Sequence, residues 1–148
     1  MNKPELKTYP DGTKEWWLNN KRHREDGPAV ERSDGTKYWF LNGMFHREDG
    51  PAVEYANGSK EWYLNGKYHR EDGPAIEYPN GTKEWWLNDK LHREDGPAIE
   101  YPDGDKYWYL NDEEIHPEFL VDLWLEREVF CWWDETNNTL NFGENNEK

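Results

Sequence analysis

The chain has 148 residues and a formal charge of −14, with 34% charged, 34% hydrophobic and 16% aromatic residues, including ten Trp. So large an acidic excess argues against non-specific binding to nucleic acid or to an anionic membrane, and favours a basic partner or simply solubility. The N-terminal MNKPELKTYPDG lacks the apolar stretch of a signal peptide, no run approaches the ~18 apolar residues of a membrane span, and the single cysteine, Cys131, excludes an intramolecular disulfide, so a cytoplasmic setting is expected.

Residues 5–22, ELKTYPDGTKEWWLNNKR, open a pattern that fills most of the chain. The tetrad His-Arg-Glu-Asp then begins at His23, His46, His69 and His92, a constant step of 23 residues. Each copy runs on through Gly-Pro-Ala-(Val/Ile)-Glu, a turn, a Lys, an aromatic run and Leu-Asn. A period of this length marks one supersecondary unit stacked on itself. Five units are expected, near 5–22, 23–45, 46–68, 69–91 and 92–116, with the first as an N-terminal cap.

Two turns punctuate each unit. Tyr78-Pro79-Asn80-Gly81 supplies Pro where φ near −65° is wanted and Gly where φ turns positive, the pattern of a type I turn closed by a G1 bulge. Asp11-Gly12, Asp34-Gly35, Asn57-Gly58 and Asp103-Gly104 fill the same slot. After the aromatic strand, Asn42-Gly43 and Asn65-Gly66 are two-residue hairpin turns, with Asn88-Asp89 and Asn111-Asp112 as weaker versions. Each unit therefore reads as strand, tight turn, strand, tight turn and short return.

Alternation along the second strand assigns its faces. One face repeats Trp16/Leu18, Trp39/Leu41, Trp62/Leu64, Trp85/Leu87 and Trp108/Leu110 without change, as a structural core should. The other carries Trp17, Phe40, Tyr63, Trp86 and Tyr109, always a ring but of varying shape, which suits a half-exposed face open to a partner. That column either packs on the array's own return segments or offers a stacking platform, for instance to glycans.

The array breaks after Asn111. Asn111-Asp112-Glu113-Glu114-Ile115-His116 holds one extra residue before its His, and Pro117 replaces the expected Arg. Pro117 suits the first turn of a helix, and a capping helix is expected over residues 117–134, apolar around most of its girth except for a stripe of Glu118, Asp122 and Glu126. Residues 135–148, rich in Asn and Glu, read as a flexible tail. Residues 112–148 hold 2 basic and 11 acidic side chains, against 16 and 21 in residues 1–111. This acidic end, with Glu113 and Glu114, is either a solvated cap or a docking surface for a basic protein.

The period, the Asp/Asn-Gly before the aromatic strand and the Asn-Gly-Lys turn followed by His resemble the MORN repeat, over roughly residues 5–116. The Gly-x-Gly and Tyr-x-Gly of ordinary MORN units are replaced here by Asp72-Gly73-Pro74-Ala75 and Glu84-Trp85-Trp86. The variant resembles those of bacterial and phage proteins, some of them antitoxin components. The resemblance implies a mainly β protein, an elongated single-layer or solenoid-like array of antiparallel hairpins. It also implies a role in protein–protein contacts.

Four equal His-Arg-Glu-Asp copies are poor candidates for chemistry. A metal site needs ligands converging within ~2.3 Å of one ion, whereas strands ~4.8 Å apart separate successive His. General acid–base catalysis needs two carboxyls with different environments, and repetition makes them alike. Neither a phosphate loop nor a nucleophile elbow is present. The expectation is a non-enzymatic protein without metal or cofactor that inhibits or sequesters a basic partner such as a nuclease, toxin or host-defence factor. The alternatives are an assembly module dimerising through the C-terminal helix, and a glycan-binding platform.

Overall fold

The computed structural model describes residues 3–116 in full, together with the backbone of residues 130–134 and 139–143. The protein is mainly β, and no helix occurs among the described residues. Glu5–Thr8 and Lys14–Leu18 form the first hairpin of an open, antiparallel, 12-stranded sheet. Each later unit adds a short strand from its Gly-Pro-Ala-(Val/Ile)-Glu segment (Val30–Glu31, Val53–Glu54, Ile76–Glu77, Ile99–Glu100) and the start of its aromatic strand (Lys37–Tyr38, Lys60–Glu61, Lys83–Glu84, Lys106–Leu110). The order in the sheet follows the order in the chain, so neighbouring units are joined edge to edge.

Every joint repeats one register. Lys14 pairs with Glu31, Lys37 with Glu54, Lys60 with Glu77 and Lys83 with Glu100, each opposite-charge pair facing across the seam. The seam continues past the strands, because the amides of Trp16, Trp39, Trp62 and Trp85 donate to the carbonyls of Ala29, Ala52, Ala75 and Ala98 at 2.8 Å. These alanines are completely buried.

Both expected turns form. At the first, Gly12 N–H donates to Tyr9 O, Tyr9 N–H to Thr13 O, and Gly12 takes φ +89°. Asp11, Asp34, Asn57 and Asn80 lock the bulge by accepting the amide two residues on, at 2.8–3.0 Å. At the second turn both central residues have positive φ, the condition for a type I′ turn, even where Gly is missing: Asn88 and Asp89 sit at +54° and +65°, Asn111 and Asp112 at +54° and +70°. The Asp carboxylates compensate for the strain. Asp89 Oδ1 accepts the amide of Tyr68 and Asp112 Oδ1 that of Leu91, both at 2.8 Å, tying each turn to the preceding unit.

The core is thin and continuous rather than globular. Ala29, Val30 and Phe40 form one cluster, and Ala52, Val53 and Tyr63 the next, with Tyr38 and Phe45 shared between them. This corrects the expected faces. Phe40 and Tyr63, expected on a half-exposed column, are buried, and Trp17, Trp86 and Tyr109 are half-buried. Of the expected core column, only Trp108 is buried; Trp16, Trp39, Trp62, Trp85 and all five leucines are half-buried.

The physical reason is that the return strands supply rings of their own. Phe45 and Tyr68 interleave with the second column to give a run Phe40–Phe45–Tyr63–Tyr68–Trp86, with successive centroids 4.3, 5.0, 4.2 and 5.6 Å apart. In the first unit Arg22 takes the place of such a ring, its guanidinium 5.5 Å from the Trp17 centroid and 5.6 Å from that of Phe40. The column packs on the array's own return segments.

Two further differences lie at the C-terminal end. Ile115 pairs with Trp108, opposite the aromatic strand where His23 meets Trp16, so the repeat ends by substitution of its His and not by an extra residue. Phe130–Asp134, expected as the end of a helix, is a strand paired antiparallel with Thr139–Gly143, which lies in the expected flexible tail. Trp and β-branched or aromatic neighbours at 129–133 favour extended backbone as strongly as the apolar girth favours a helix. The rest of the expected helix, with Glu118, Asp122 and Glu126, lies outside the described residues. No described helix is long and apolar enough to cross a membrane.

Candidate functional site

The His-Arg-Glu-Asp loop is built around its arginine. Arg24, Arg47, Arg70 and Arg93 each lie flat over the Trp of the preceding unit, 4.0–4.2 Å from the centroids of Trp16, Trp39, Trp62 and Trp85. Nε donates to the Asp two residues on at 2.8–2.9 Å. Nη1 donates to the Pro carbonyl at 3.1–3.2 Å and to the Glu seven residues on at 2.9–3.4 Å. A planar fork with five donors can serve stack, carboxylates and carbonyl at once, which Lys cannot.

This clamp also explains the invariant glycine of the motif. A Cβ on Gly27, Gly50, Gly73 or Gly96 would come within 2.7–3.1 Å of the guanidinium carbon. A side chain there would push the guanidinium off its partners, so Gly suits the position because the arginine passes over it.

The histidine tethers its loop to the following turn. Nδ1 of His23, His46 and His92 accepts the amides of Asn42, Asn65 and Asn111 at 3.1–3.3 Å, and His69 Nδ1 lies 3.1 Å from the Asn88 side-chain oxygen. Each Nε2 sits 3.6–3.7 Å from the Glu of its own tetrad. Among the described residues, no three His, Cys, Asp or Glu side chains are placed to hold a metal ion.

With Arg and His turned inward, the acids face out. Glu25, Glu48 and Glu71, and Asp26, Asp49, Asp72 and Asp95, are 82–85% exposed, and Glu94 is 59% exposed. Hydrogen bonds from Arg24, Arg47 and Arg70, reinforced by their charge, hold the carboxyls of Asp26, Asp49 and Asp72 below the usual aspartate range. Between successive loops lie open grooves lined by the unchanging Trp-Leu pairs and by the clamp arginines: Trp39 and Leu41 with Arg24 and Arg47, Trp62 and Leu64 with Arg47 and Arg70, then Trp85 and Leu87 with Arg70 and Arg93. The acids of the rim outnumber these arginines, and an anionic rim beside apolar surface can take a cation with an aliphatic stem.

The expected site residues fall in three places. Phe40, Tyr63 and Trp86 line the opposite, self-covered aromatic run, while Trp17 lies under Lys7 and Arg22 and Tyr109 is half-buried on the last aromatic strand. Glu113 and Glu114 are exposed on the last strand of the sheet. Glu118, Asp122 and Glu126 are beyond the described residues. The outward Glu row of the tetrads was missed as a surface. Its signal was present, since an acidic residue kept in four copies takes no part in the arginine clamp and stays exposed beside its histidine. Compared with known protein families and with curated proteins, the chain matches none of them.

Proposed function

We propose that this protein is a non-enzymatic binding array that captures a basic protein, sequestering or inhibiting it, through the row of acidic grooves along its tetrad edge. The observation that carries this reading is the exposed carboxylate row beside the Trp-Leu pairs of the grooves. The MORN-like character of the repeat, a contact-making unit, agrees with it. An anionic edge would also speed encounter with a cationic target.

The repeat sets the spacing of what it takes. Two strands per unit at ~4.8 Å place successive grooves ~10 Å apart. A polyproline-II segment has three residues per turn and advances ~3.1 Å per residue, so every third side chain returns to the same side ~9.3 Å further on and meets the next groove. The partner segment is therefore a polyproline-II stretch with Lys or Arg at every third position.

The test is calorimetric titration with synthetic peptides of equal composition, one with Lys at every third position and one with Lys at every second. The matched spacing should bind more tightly, weaken with salt, and lose affinity when Glu25, Glu48, Glu71 and Glu94 are changed to Gln. Equal affinity for both spacings, or indifference to the four substitutions, overturns the reading. Charge removal at Glu118, Asp122 and Glu126 measures separately what the acidic C-terminal stretch adds.

A further inference from the structure

The two ends of the described array are halves of one joint. At the N-terminal end Glu5–Thr8 is paired only on the side of Lys14–Leu18. Its register with that strand, Thr8 opposite Lys14 and Lys7 opposite Glu15, matches Glu31 opposite Lys37 and Val30 opposite Tyr38 in the next hairpin. Thr8 thus occupies the slot of Glu31, Lys7 that of Val30 and Leu6 that of Ala29. In every later unit the outer edge of this strand is taken by the preceding aromatic strand. Here no described strand takes it, and Leu6 is 49% exposed where its counterparts Ala29, Ala52, Ala75 and Ala98 are buried.

The C-terminal end is complementary. Lys106 and Tyr107 pair with Glu100 and Ile99 on one side. On the other side, where Lys37 and Tyr38 receive Glu54 and Val53, no described strand is paired with them. Tyr107 is exposed, whereas its counterpart Tyr38 is enclosed between Tyr55, Phe40 and Phe45. Charge matches the geometry: residues 1–22 hold five basic and three acidic side chains, and residues 101–116 hold one basic and five acidic.

We propose that a second copy of this chain docks head to tail, its Glu5–Thr8 strand adding to the edge of Lys106–Tyr107 that no described strand pairs, in the register of the four internal joints. Lys106 then faces Thr8, and Tyr107 faces Lys7, of the incoming copy. The contact is heterologous, so it leaves one open head and one open tail and propagates instead of closing. The pairing is a β-augmentation in which the protein supplies its own strand.

Proline at the two edges separates the halves of the contact. Tyr9 N–H is spent on Thr13 within its hairpin, so by alternation Thr8 N–H lies on the outer edge, as Lys106 N–H does at the other end. Thr8→Pro and Lys106→Pro each remove one outward donor without touching the inner pairing. Sedimentation velocity of the full chain should show mass rising with concentration beyond a dimer, and each variant alone should be monomeric. An equimolar mixture of the two should form a dimer and nothing larger. A double variant, Lys3→Glu with Lys7→Glu, tests the same contact without proline and should shift the mass distribution toward monomer. A wild type monomeric at every concentration, a proline variant that dimerises alone, or a Lys3→Glu/Lys7→Glu protein that assembles like the wild type overturns the proposal.

Discussion

Arg70 lies over the indole of Trp62 with its guanidinium carbon 4.1 Å from the ring centroid, and the same guanidinium holds Asp72, Glu77 and the Pro74 carbonyl. One side chain therefore closes its own loop and covers the ring of the unit before it. Arg70→Ala should cost about 2 kcal/mol, combining the lost stack with charge-assisted hydrogen bonds that are partly exposed. Arg70→Lys should recover no more than about half of that, since the fork is lost. Urea denaturation measures both.

Gly73 is constrained by that arginine and not by its own backbone, since a Cβ there would lie 2.9 Å from the Arg70 guanidinium carbon. Gly73→Ala alone should destabilise by about 1–2 kcal/mol by pushing the guanidinium off Trp62. In the Arg70→Ala background the same change should be neutral or slightly stabilising, because alanine restricts the unfolded chain. A double-mutant cycle reads the coupling. Additive effects would mean the glycine serves some other purpose.

Asp89 combines a positive φ of 65° with an accepted hydrogen bond from Tyr68. Asp89→Gly relieves about 1 kcal/mol of backbone strain and gives up a bond of similar worth, so stability should change little. Asp89→Ala keeps the strain and loses the bond, and should cost about 1–2 kcal/mol. Thermal melting of the pair separates the two contributions.

Asp26, Asp49 and Asp72 carry depressed folded-state pKa values, first because of the arginine hydrogen bond and then its charge. A depressed carboxyl binds fewer protons when folded than when unfolded. The stability it contributes is therefore present above the unfolded aspartate value of about 3.9 and is lost as pH falls through the lower folded value. The share of the denaturant midpoint that these three carboxyls supply should hold from neutral pH down to about 3.9 and fall below it. In a triple Asp26→Asn, Asp49→Asn, Asp72→Asn protein the drop should shrink.

Much of the fold could be read from the residues because its determinants are local. Asp11-Gly12 and Asn42-Gly43 specify their turns by conformation alone, and the 23-residue step fixes how the units follow one another. The faces were harder. Trp39 alternates with Phe40 along one strand, and alternation says that they point apart, not which side is covered. Cover depends on Phe45 and Tyr68, which stand on a different strand, and on Arg47, which arrives from the next unit. The loss of the ladder histidine at Ile115 looked like an insertion because His116 stood one place late; the pairing of Ile115 with Trp108 settles its register. Beyond Pro117 the pattern has no repeat to lean on, and the apolar content at Phe130–Asp134 serves a strand as well as a helix.

Each seam uses the same pairs, the same tethers from histidine to the following turn and the same arginine laid over the preceding indole. Removing residues 46–68 would bring Phe45 directly to His69 and present every partner with an equivalent one, since both ends of the excised piece are copies. The gene can lengthen or shorten this protein by whole units of 23 codons without a new contact having to evolve, so under the proposed binding role the number of grooves would be a heritable dial on how many points of attachment a partner meets at once.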